Sequence, residues 1–361
     1  GIIGVLRTAA VTASTQADRS RVMSITNGAF ALGLTIGPAI QFLFNPLGYP
    51  GITIAEPLRI NIYSSPAISG FITNIVCMVR WSEATADITL SRNSNPLLCT
   101  EDHKRFFALP KYDKLAASIC ILTRFAQMFV VAILETISSP FAMIMFNWSR
   151  ETTVYWMAIF HVAFGCFGFI LYAINVIFDL AKKMNQRICC VIGCALLVLF
   201  HLITFPWPFL TAKIHYQDES SLNGSEPTGC RRSFEWCADV PAISPYVYAI
   251  SYSVLISAGF ALTTVAMSTT FSTVIGPRNQ GTMQGLMMFA GSVARLLGPI
   301  IISTLFTAFG PRLPWILEMI VAGGTGLLWI VFYNRLVPLK LDSSLRAGDS
   351  FKNKFGMVYK F

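Results

Sequence analysis

Residues 28–40 read Gly-Ala-Phe-Ala-Leu-Gly-Leu-Thr-Ile-Gly-Pro-Ala-Ile, and residues 291–301 read Gly-Ser-Val-Ala-Arg-Leu-Leu-Gly-Pro-Ile-Ile. Each stretch contains a small residue, three others and then Gly-Pro: Gly33 with Gly37 and Pro38, and Ala294 with Gly298 and Pro299. Small residues four apart let two helix backbones approach closely, and a bilayer tolerates Gly and Pro in helices that are covered by neighbours. The repeat therefore predicts a helix-packing motif that occurs once in each of two related halves.

The composition of the chain is typical of a membrane protein. Of its 361 residues, 54% are hydrophobic and 12% are charged, with a mean hydropathy of +0.59. A soluble domain is about 25% charged. Because the apolar residues form blocks long enough to cross a bilayer, we expect an all-α polytopic membrane protein. The net charge of +9 is interpreted as loop charge rather than as a nucleic-acid surface, because no basic run is interleaved with aromatic residues.

Apolar blocks predict eight complete spans and one partial span. The partial span covers residues 1–14, so we expect the chain to be a fragment that lacks its first helices. The complete spans are expected at residues 22–44, 60–79, 115–146, 152–178, 188–212, 242–273, 282–309 and 313–334.

The distribution of Lys and Arg predicts the orientation. Eighteen basic residues fall on one side of the predicted spans and six on the other, which assigns the first side to the cytoplasm. The polar loop 213–239 then lies on the opposite side. Its Cys230 and Cys237 are candidates for a disulfide, the alternative being two free thiols, and Asn223 starts an Asn-Gly-Ser glycosylation acceptor whose use stays open.

Several motifs together resemble the major facilitator superfamily, and among its members an endolysosomal branch. They cover nearly the whole chain, and the Pro-Thr-Gly-Cys loop with its later Trp-Cys is the most specific of them. The motifs are Arg7 with Gln16-Ala17-Asp18-Arg19, Ala31-Leu32-Gly33 with Gly37-Pro38, Glu135-Thr136-Ile137 with Pro140, Pro227-Thr228-Gly229-Cys230 with Trp236-Cys237, Gly276-Pro277 with Gln280-Gly281, and Ala294-Arg295 with Leu297-Gly298-Pro299.

The resemblance implies a domain organisation. Residues 1–80 would be the remainder of the N-terminal six-helix half, with a partial fourth helix and the fifth and sixth helices. Residues 81–114 would be a cytoplasmic central loop, and residues 115–335 the complete C-terminal six-helix half, including the lumenal loop 213–239. Residues 336–361 would be a cytoplasmic tail. The resemblance also implies a lysosomal or endosomal membrane and a link to chloride conductance.

Glu135 is the sharpest candidate for function. A carboxylate deep in a span is costly, so it is paired, protonated or facing water. Gln127, Val131, Glu135 and Ser138 share one helical stripe, with Arg124 at its cytoplasmic end. The stripe is typical of a cavity wall, and a structural hydrogen bond to a neighbouring helix is the alternative.

Three further groups carry weaker signals. Arg295 would place a fixed positive charge near the midplane, where it suits an anion or carboxylate ligand or pairs structurally with a carboxylate such as Glu135. By the resemblance, Arg7 occupies a fourth-helix position that the family couples to proton or substrate movement. His161 and His201 are interpreted as structural residues rather than as proton relays.

The sequence thus predicts a transporter that moves a small solute or anion by alternating access, with proton coupling through Glu135 as a hypothesis. Its expected partners are the lipid bilayer, a small-molecule or anion substrate such as chloride, and protons, with no nucleic acid. A chloride-conducting channel-like protein and a non-transporting membrane scaffold are the alternatives. The sequence shows no catalytic pair, phosphate-binding loop or metal-ligand cluster, so neither an enzyme nor a cofactor or metal is expected.

Overall fold

The computed structural model of the chain describes residue 7 and residues 18–44, 52–55, 58–60, 64–94, 106–108, 111–178, 180–217, 228–276, 280–339, 350–352 and 358–360. The chain forms two units. The first comprises Gly1–Thr35 and Pro110–Ser343, and the second comprises Ile36–Leu109 and Ser344–Phe361. Helix α1 (Arg19–Phe44) begins in the first unit and ends in the second. It coincides with the span predicted at residues 22–44.

The second unit contains a helix that is longer than the predicted span. The sequence predicts a span at 60–79 and a central loop from residue 81, but α2 runs over Ser64–Ser94. Residues 81–94 contain no Gly or Pro that would stop the helix, and their polar side chains allow it to continue beyond an apolar segment. The start of the predicted loop is therefore helical.

Short strands accompany α2 in the second unit. Two of the strands form an antiparallel sheet in which Ile52 lies opposite Ile60. The other three form a second sheet, whose central strand pairs parallel with one neighbour and antiparallel with the other. Two of these strands lie in the predicted tail 336–361. The strands are β1 (Ile52–Ala55), β2 (Leu58–Ile60), β3 (Phe106–Ala108), β4 (Ser350–Lys352) and β5 (Val358–Lys360).

Six helices of the first unit are long and apolar enough to cross a membrane, which confirms the predicted all-α polytopic fold class. They coincide in order with the six spans predicted for residues 115–335. They are α3 (Lys114–Met145), α4 (Arg150–Phe178), α5 (Gln186–Ile203), α6 (Pro245–Ile275), α7 (Gln280–Phe309) and α8 (Arg312–Val331).

Helix ends follow local chemistry. The sequence predicts a span at residues 188–212, but α5 ends at Ile203. The helix stops there because Pro206 and Pro208 lack the amide hydrogen that a helix needs. Helix α6 ends at Ile275, where Gly276 adopts a φ of 71° that favours glycine. Within α6, residues Tyr252–Ile256 form a π-helical segment.

Small residues bring α7 close to α3. A Cβ atom added to Gly298 would lie 3.2 Å from the Cβ of Ala132, and one added to Gly291 would lie 2.9 Å from Cγ of Met128. Ala294, which lies between Gly291 and Gly298 in the sequence, is fully buried, and Pro299 lies inside the helix. The downstream motif therefore sits in a close helix–helix contact, as small residues in membrane helices allow.

The upstream motif does not show such a contact. A Cβ atom added to Gly33 or Gly37 would meet no atom within 4 Å in the described part of the chain. The side chain of Pro38 lies outside the described residues. The close approach that the sequence predicts for this motif is thus absent at its two glycines.

The described residues of the loop between α5 and α6 contact the end of α7. Cys230 and Cys237 are disulfide-bonded. The ring of Trp236 lies 5.7 Å from that of Phe306, and it packs so tightly on Gly310 that an added Cβ would clash with it. The glycosylation candidate Asn223 lies outside the described residues.

Candidate functional site

An ion pair joins α3 to α7 within the predicted spans. Nη2 of Arg295 donates to Oε1 and Oε2 of Glu135 at 3.0 and 2.7 Å. The side chain of Arg295 is 50% exposed and that of Glu135 is 45% exposed. Arg295 lies at the middle of α7, far from either end of the predicted span, and the pair remains about half exposed. Each charge neutralises the other, while the exposed half of each side chain stays open to water or a ligand.

A buried hydrogen-bond network lies further along α3. Nη1 of Arg124 donates to Oε1 of Gln127 at 3.0 Å, and Nε2 of Gln127 donates to the carbonyl of Phe260 at 3.1 Å and to Oγ1 of Thr264 at 2.6 Å. Gln127 is 2% exposed. Here it holds α3 against α6, with both ends of its amide occupied, rather than facing an open cavity as the helical stripe predicts.

Arg7 lies in a neighbouring polar contact of the same unit. Its Nη2 donates to Oδ1 of Asn27 on α1 at 2.6 Å, and its Nε and Nη1 find no acceptor in the described part of the chain. Tyr172 of α4 packs on Gly28 of α1, the residue after Asn27. This contact places α4 beside the surroundings of Arg7.

Arg124 lies close to Arg295, because it packs on Gly291 of α7, one helical turn before Arg295, and Arg7 brings a third positive charge to the same unit. Among the described residues, Glu135 is the carboxylate that forms an ion pair with one of these three arginines. Like charges repel strongly in a medium of low dielectric constant. An anion bound near the three guanidinium groups would relieve this repulsion.

His161 of α4 lies beside a tyrosine of α6. Its Nδ1 is 2.7 Å from the carbonyl oxygen of Met157, and its Nε2 is 3.5 Å from Oη of Tyr252. Tyr252 belongs to the π-helical segment and is 7% exposed, whereas His161 is partly exposed. π-Helical turns are frequent at functional sites because they break the regular hydrogen-bond ladder.

A second acid–base pair is sealed inside the bundle. Nε2 of His201 on α5 contacts Oε2 of Glu318 on α8, and both side chains are fully buried. Nearby, Nε1 of the buried Trp315 donates to Oγ1 of Thr204 at 2.9 Å. The two contacts join the end of α5 to the beginning of α8.

Sequence reasoning selected Glu135, Arg295, Arg7 and Gln127, and the structure brings Glu135 and Arg295 together. It did not select Thr264 or Tyr172, whose roles depend on contacts between helices that no local pattern reveals. It also assigned no role to Glu318, although a carboxylate inside an apolar span is a recognisable signal. Among the described residues, no three His, Cys, Asp or Glu side chains cluster in a way that would hold a metal ion.

Six membrane-length helices, two of which are joined by a half-exposed ion pair, define a polytopic membrane protein. No known family profile matches the chain. The chain is 31% identical to the major facilitator superfamily domain-containing protein 8 of Xenopus laevis over 364 aligned residues. The alignment covers 94% of this chain and 70% of that protein. The chain belongs to the major facilitator superfamily and is a membrane transporter of that kind.

Proposed function

We propose that the protein carries a small anionic or carboxylate solute across a lysosomal or endosomal membrane by alternating access, coupled to protons. The observation that carries the proposal is the half-exposed Glu135–Arg295 pair at the middle of α7. Full enclosure of a charged pair costs desolvation free energy, which complete hydrogen bonding must offset. A pair with open faces is suited to exchange partners with a bound solute or a proton.

The charge balance favours an anion as the solute. Arg124 and Arg7 are buried. In the part of the chain that the structure describes, Nε of Arg124 and both Nε and Nη1 of Arg7 have no acceptor. Guanidinium groups bind carboxylates and phosphates through paired hydrogen bonds. A bound anion would therefore satisfy donors that the fold leaves open and offset the positive charge beside Glu135. Chloride is the simplest candidate for such an anion.

The cysteine loop supports a lumenal orientation and an endolysosomal location. Disulfides persist in oxidising compartments, and Cys230 and Cys237 are joined in the loop between α5 and α6. The same loop contains the Asn223 acceptor and lies on the side with fewer Lys and Arg residues. A cysteine introduced at Lys213 should react with an impermeant reagent only after the lumen is opened. Reaction from the cytosolic side of sealed organelles would reverse the orientation.

Uptake into proteoliposomes tests the transport proposal, with labelled chloride and a panel of small carboxylates as probes. Saturable uptake with counter-flow would identify a carrier, whereas unsaturable flux would identify a channel. Arg295→Gln should lower anion flux at least about tenfold, since hydrogen bonds to charged groups contribute about 1.5–3 kcal/mol. Arg335→Gln is the matched control, because Arg335 forms an exposed ion pair with Asp113 outside the site. Equal flux in all three proteins would refute the role of the pair.

A further inference from the structure

An open cavity of about 320 Å³ lies where the end of α3 and the start of α4 meet the loop between α5 and α6. Cavities that bind small molecules have volumes of about 300–1,000 Å³, mainly apolar walls and a few polar groups that orient the ligand. Glu135 and Arg295 are not among the residues that line this cavity. It is therefore a site separate from their ion pair.

One wall of the cavity is apolar. Met143 and Ile144 of α3 and Phe234 of the loop line it. Ile144 belongs to the buried core of the bundle, and Phe234 packs against that core. The ring of Phe234 also stacks on that of Trp236, with 5.6 Å between the ring centroids. These side chains form an ordered apolar surface, against which the apolar part of a ligand would be removed from water.

The polar groups of the cavity carry positive charge. Arg150 of α4 and Arg231 of the loop line it together with the amide of Gln217. Both arginines are exposed, so an anion reaches them from water. Among the described residues that line the cavity, none carries a negative charge. Because guanidinium groups bind carboxylates through paired hydrogen bonds, these groups suit an anionic head group.

The backbone of the loop holds Arg231 beside the cavity. The amide of Cys230 donates to the carbonyl of His215 at 2.8 Å, and the amide of Gln217 donates to the carbonyl of Cys230 at 2.9 Å. Cys230, the residue before Arg231, is also disulfide-bonded to Cys237. A wall that is ordered before the ligand arrives loses little conformational entropy on binding, which favours affinity.

We propose that this cavity binds a small organic anion, a carboxylate that carries an apolar group. The carboxylate pairs with Arg231 and is attracted by the charge of Arg150, while the apolar group packs against Phe234 and Met143. This site goes beyond the proposed transport of an anion such as chloride, because a chloride ion has no part that the apolar wall would contact. It rests neither on transport nor on proton coupling.

Equilibrium dialysis of labelled phenylacetate against the purified protein tests the ligand class. Phenylacetamide keeps the shape of this probe without its charge, and acetate keeps the charge without the ring. Phenylacetate should bind at least about tenfold more tightly than either, since a hydrogen bond between charged groups changes affinity by about that factor or more. Equal binding of phenylacetate and phenylacetamide would overturn the anion site.

Two variants test whether the probe binds in this cavity. Arg231→Gln should weaken phenylacetate binding about tenfold. Met143→Trp leaves both arginines in place but fills the cavity, so it should abolish binding. Arg232→Gln is the matched control, because this exposed neighbour of Arg231 does not line the cavity. Thermal unfolding of each variant verifies that it is folded, and wild-type affinity in both Arg231→Gln and Met143→Trp would refute the assignment.

A lipid head group is the other source of an anion with an apolar part. Dialysis with the protein in nanodiscs of phosphatidylcholine, with and without phosphatidylserine, separates the two sources. We expect the affinities for phenylacetate to agree within about tenfold, a margin that covers repulsion by the negative lipid surface. A larger loss with phosphatidylserine would assign the cavity to a lipid and overturn the proposal. Binding at equilibrium needs no transport, so a failure of the proposed function leaves this test intact.

Discussion

The six-helix bundle contains two acid–base pairs that differ in exposure. Glu135 and Arg295 are about half exposed, whereas Glu318 and His201 are fully buried. Both pairs connect helices that are distant in sequence, α3 with α7 and α5 with α8. The comparison separates two uses of charge in a membrane protein: an open pair can exchange partners, and a sealed pair can only hold its helices together.

The sealed pair must contain one proton between its two groups. Nδ1 of His201 donates to the carbonyl of Leu197 at 2.7 Å, so the Nε2 that contacts Glu318 carries the lone pair of the neutral ring. A proton on either Nε2 or Oε2 is therefore needed to turn the contact into a hydrogen bond. Both side chains are fully buried, so the contact is closed to bulk water.

The largest predicted effect is the loss of the sealed carboxylate. Glu318→Ala leaves the polar ring of His201 buried without its partner and opens a cavity beside Trp315. Breaking a buried pair by removing one partner costs about 3–5 kcal/mol. Thermal unfolding of the detergent-solubilised protein should show this loss of stability.

A double substitution provides the control for this prediction. His201→Leu with Glu318→Leu removes both polar groups and fills the space, so it should regain most of the stability that Glu318→Ala loses. If the double variant is as unstable as the single one, the pair has a role beyond joining α5 to α8.

The next effect concerns the loop beside the sealed pair. Cys230→Ser removes the disulfide bond between Cys230 and Cys237, which closes a short loop of the chain. By the loop-entropy relation, this removal should cost about 2–3 kcal/mol of stability. Trp236 should then lose its fixed position over Gly310. Unfolding with and without a reducing agent measures the effect: reduction should destabilise the wild type and leave Cys230→Ser unchanged.

The open pair should contribute little to stability. An exposed ion pair contributes about 1 kcal/mol or less, so Glu135→Gln should unfold within that range of the wild type. Its anion flux should nevertheless lose its pH response, because the proposed proton coupling runs through this carboxylate. If Glu135→Gln and Arg295→Gln both destabilise the protein as strongly as Glu318→Ala, the open pair is a structural contact like the sealed one.

The contrast between the open and the sealed pair also explains which features of the fold and the site could be predicted from the sequence. Hydropathy and the Gly-Pro motifs predict the spans and the close contact at Gly298, because both depend on local composition. The sequence also isolates Glu135 and Arg295, since any charge inside an apolar block stands out. It cannot tell the open pair from the sealed pair, because exposure depends on how α3, α5, α7 and α8 pack. For the same reason it gives His161 and His201 the same interpretation.

The smallest predicted effect concerns a third pair, outside the spans. Asp113 caps α3 by accepting from the backbone nitrogen of Leu115 at 2.9 Å, and Nε of Arg335 donates to its Oδ2 at 2.8 Å. Partial burial raises the pKa of Asp113, but the hydrogen bonds from Arg335, Ala116 and Leu115 outweigh burial and hold this pKa below its ordinary value. The carboxylate therefore stabilises the fold above the unfolded pKa of about 3.9, and this contribution is lost as the pH falls through the lower folded value.

Two substitutions at this position separate the cap from the ion pair. Asp113→Asn keeps the cap, because Asn caps helices as well as Asp, and should cost about 0.5 kcal/mol for the exposed ion pair. Asp113→Ala removes both and should cost about 1–2 kcal/mol. The difference between wild type and Asp113→Asn should be constant from about pH 5 to 8 and shrink below about pH 4. A difference that instead changes across neutral pH would contradict the lowered pKa of Asp113 as the source of the pH dependence.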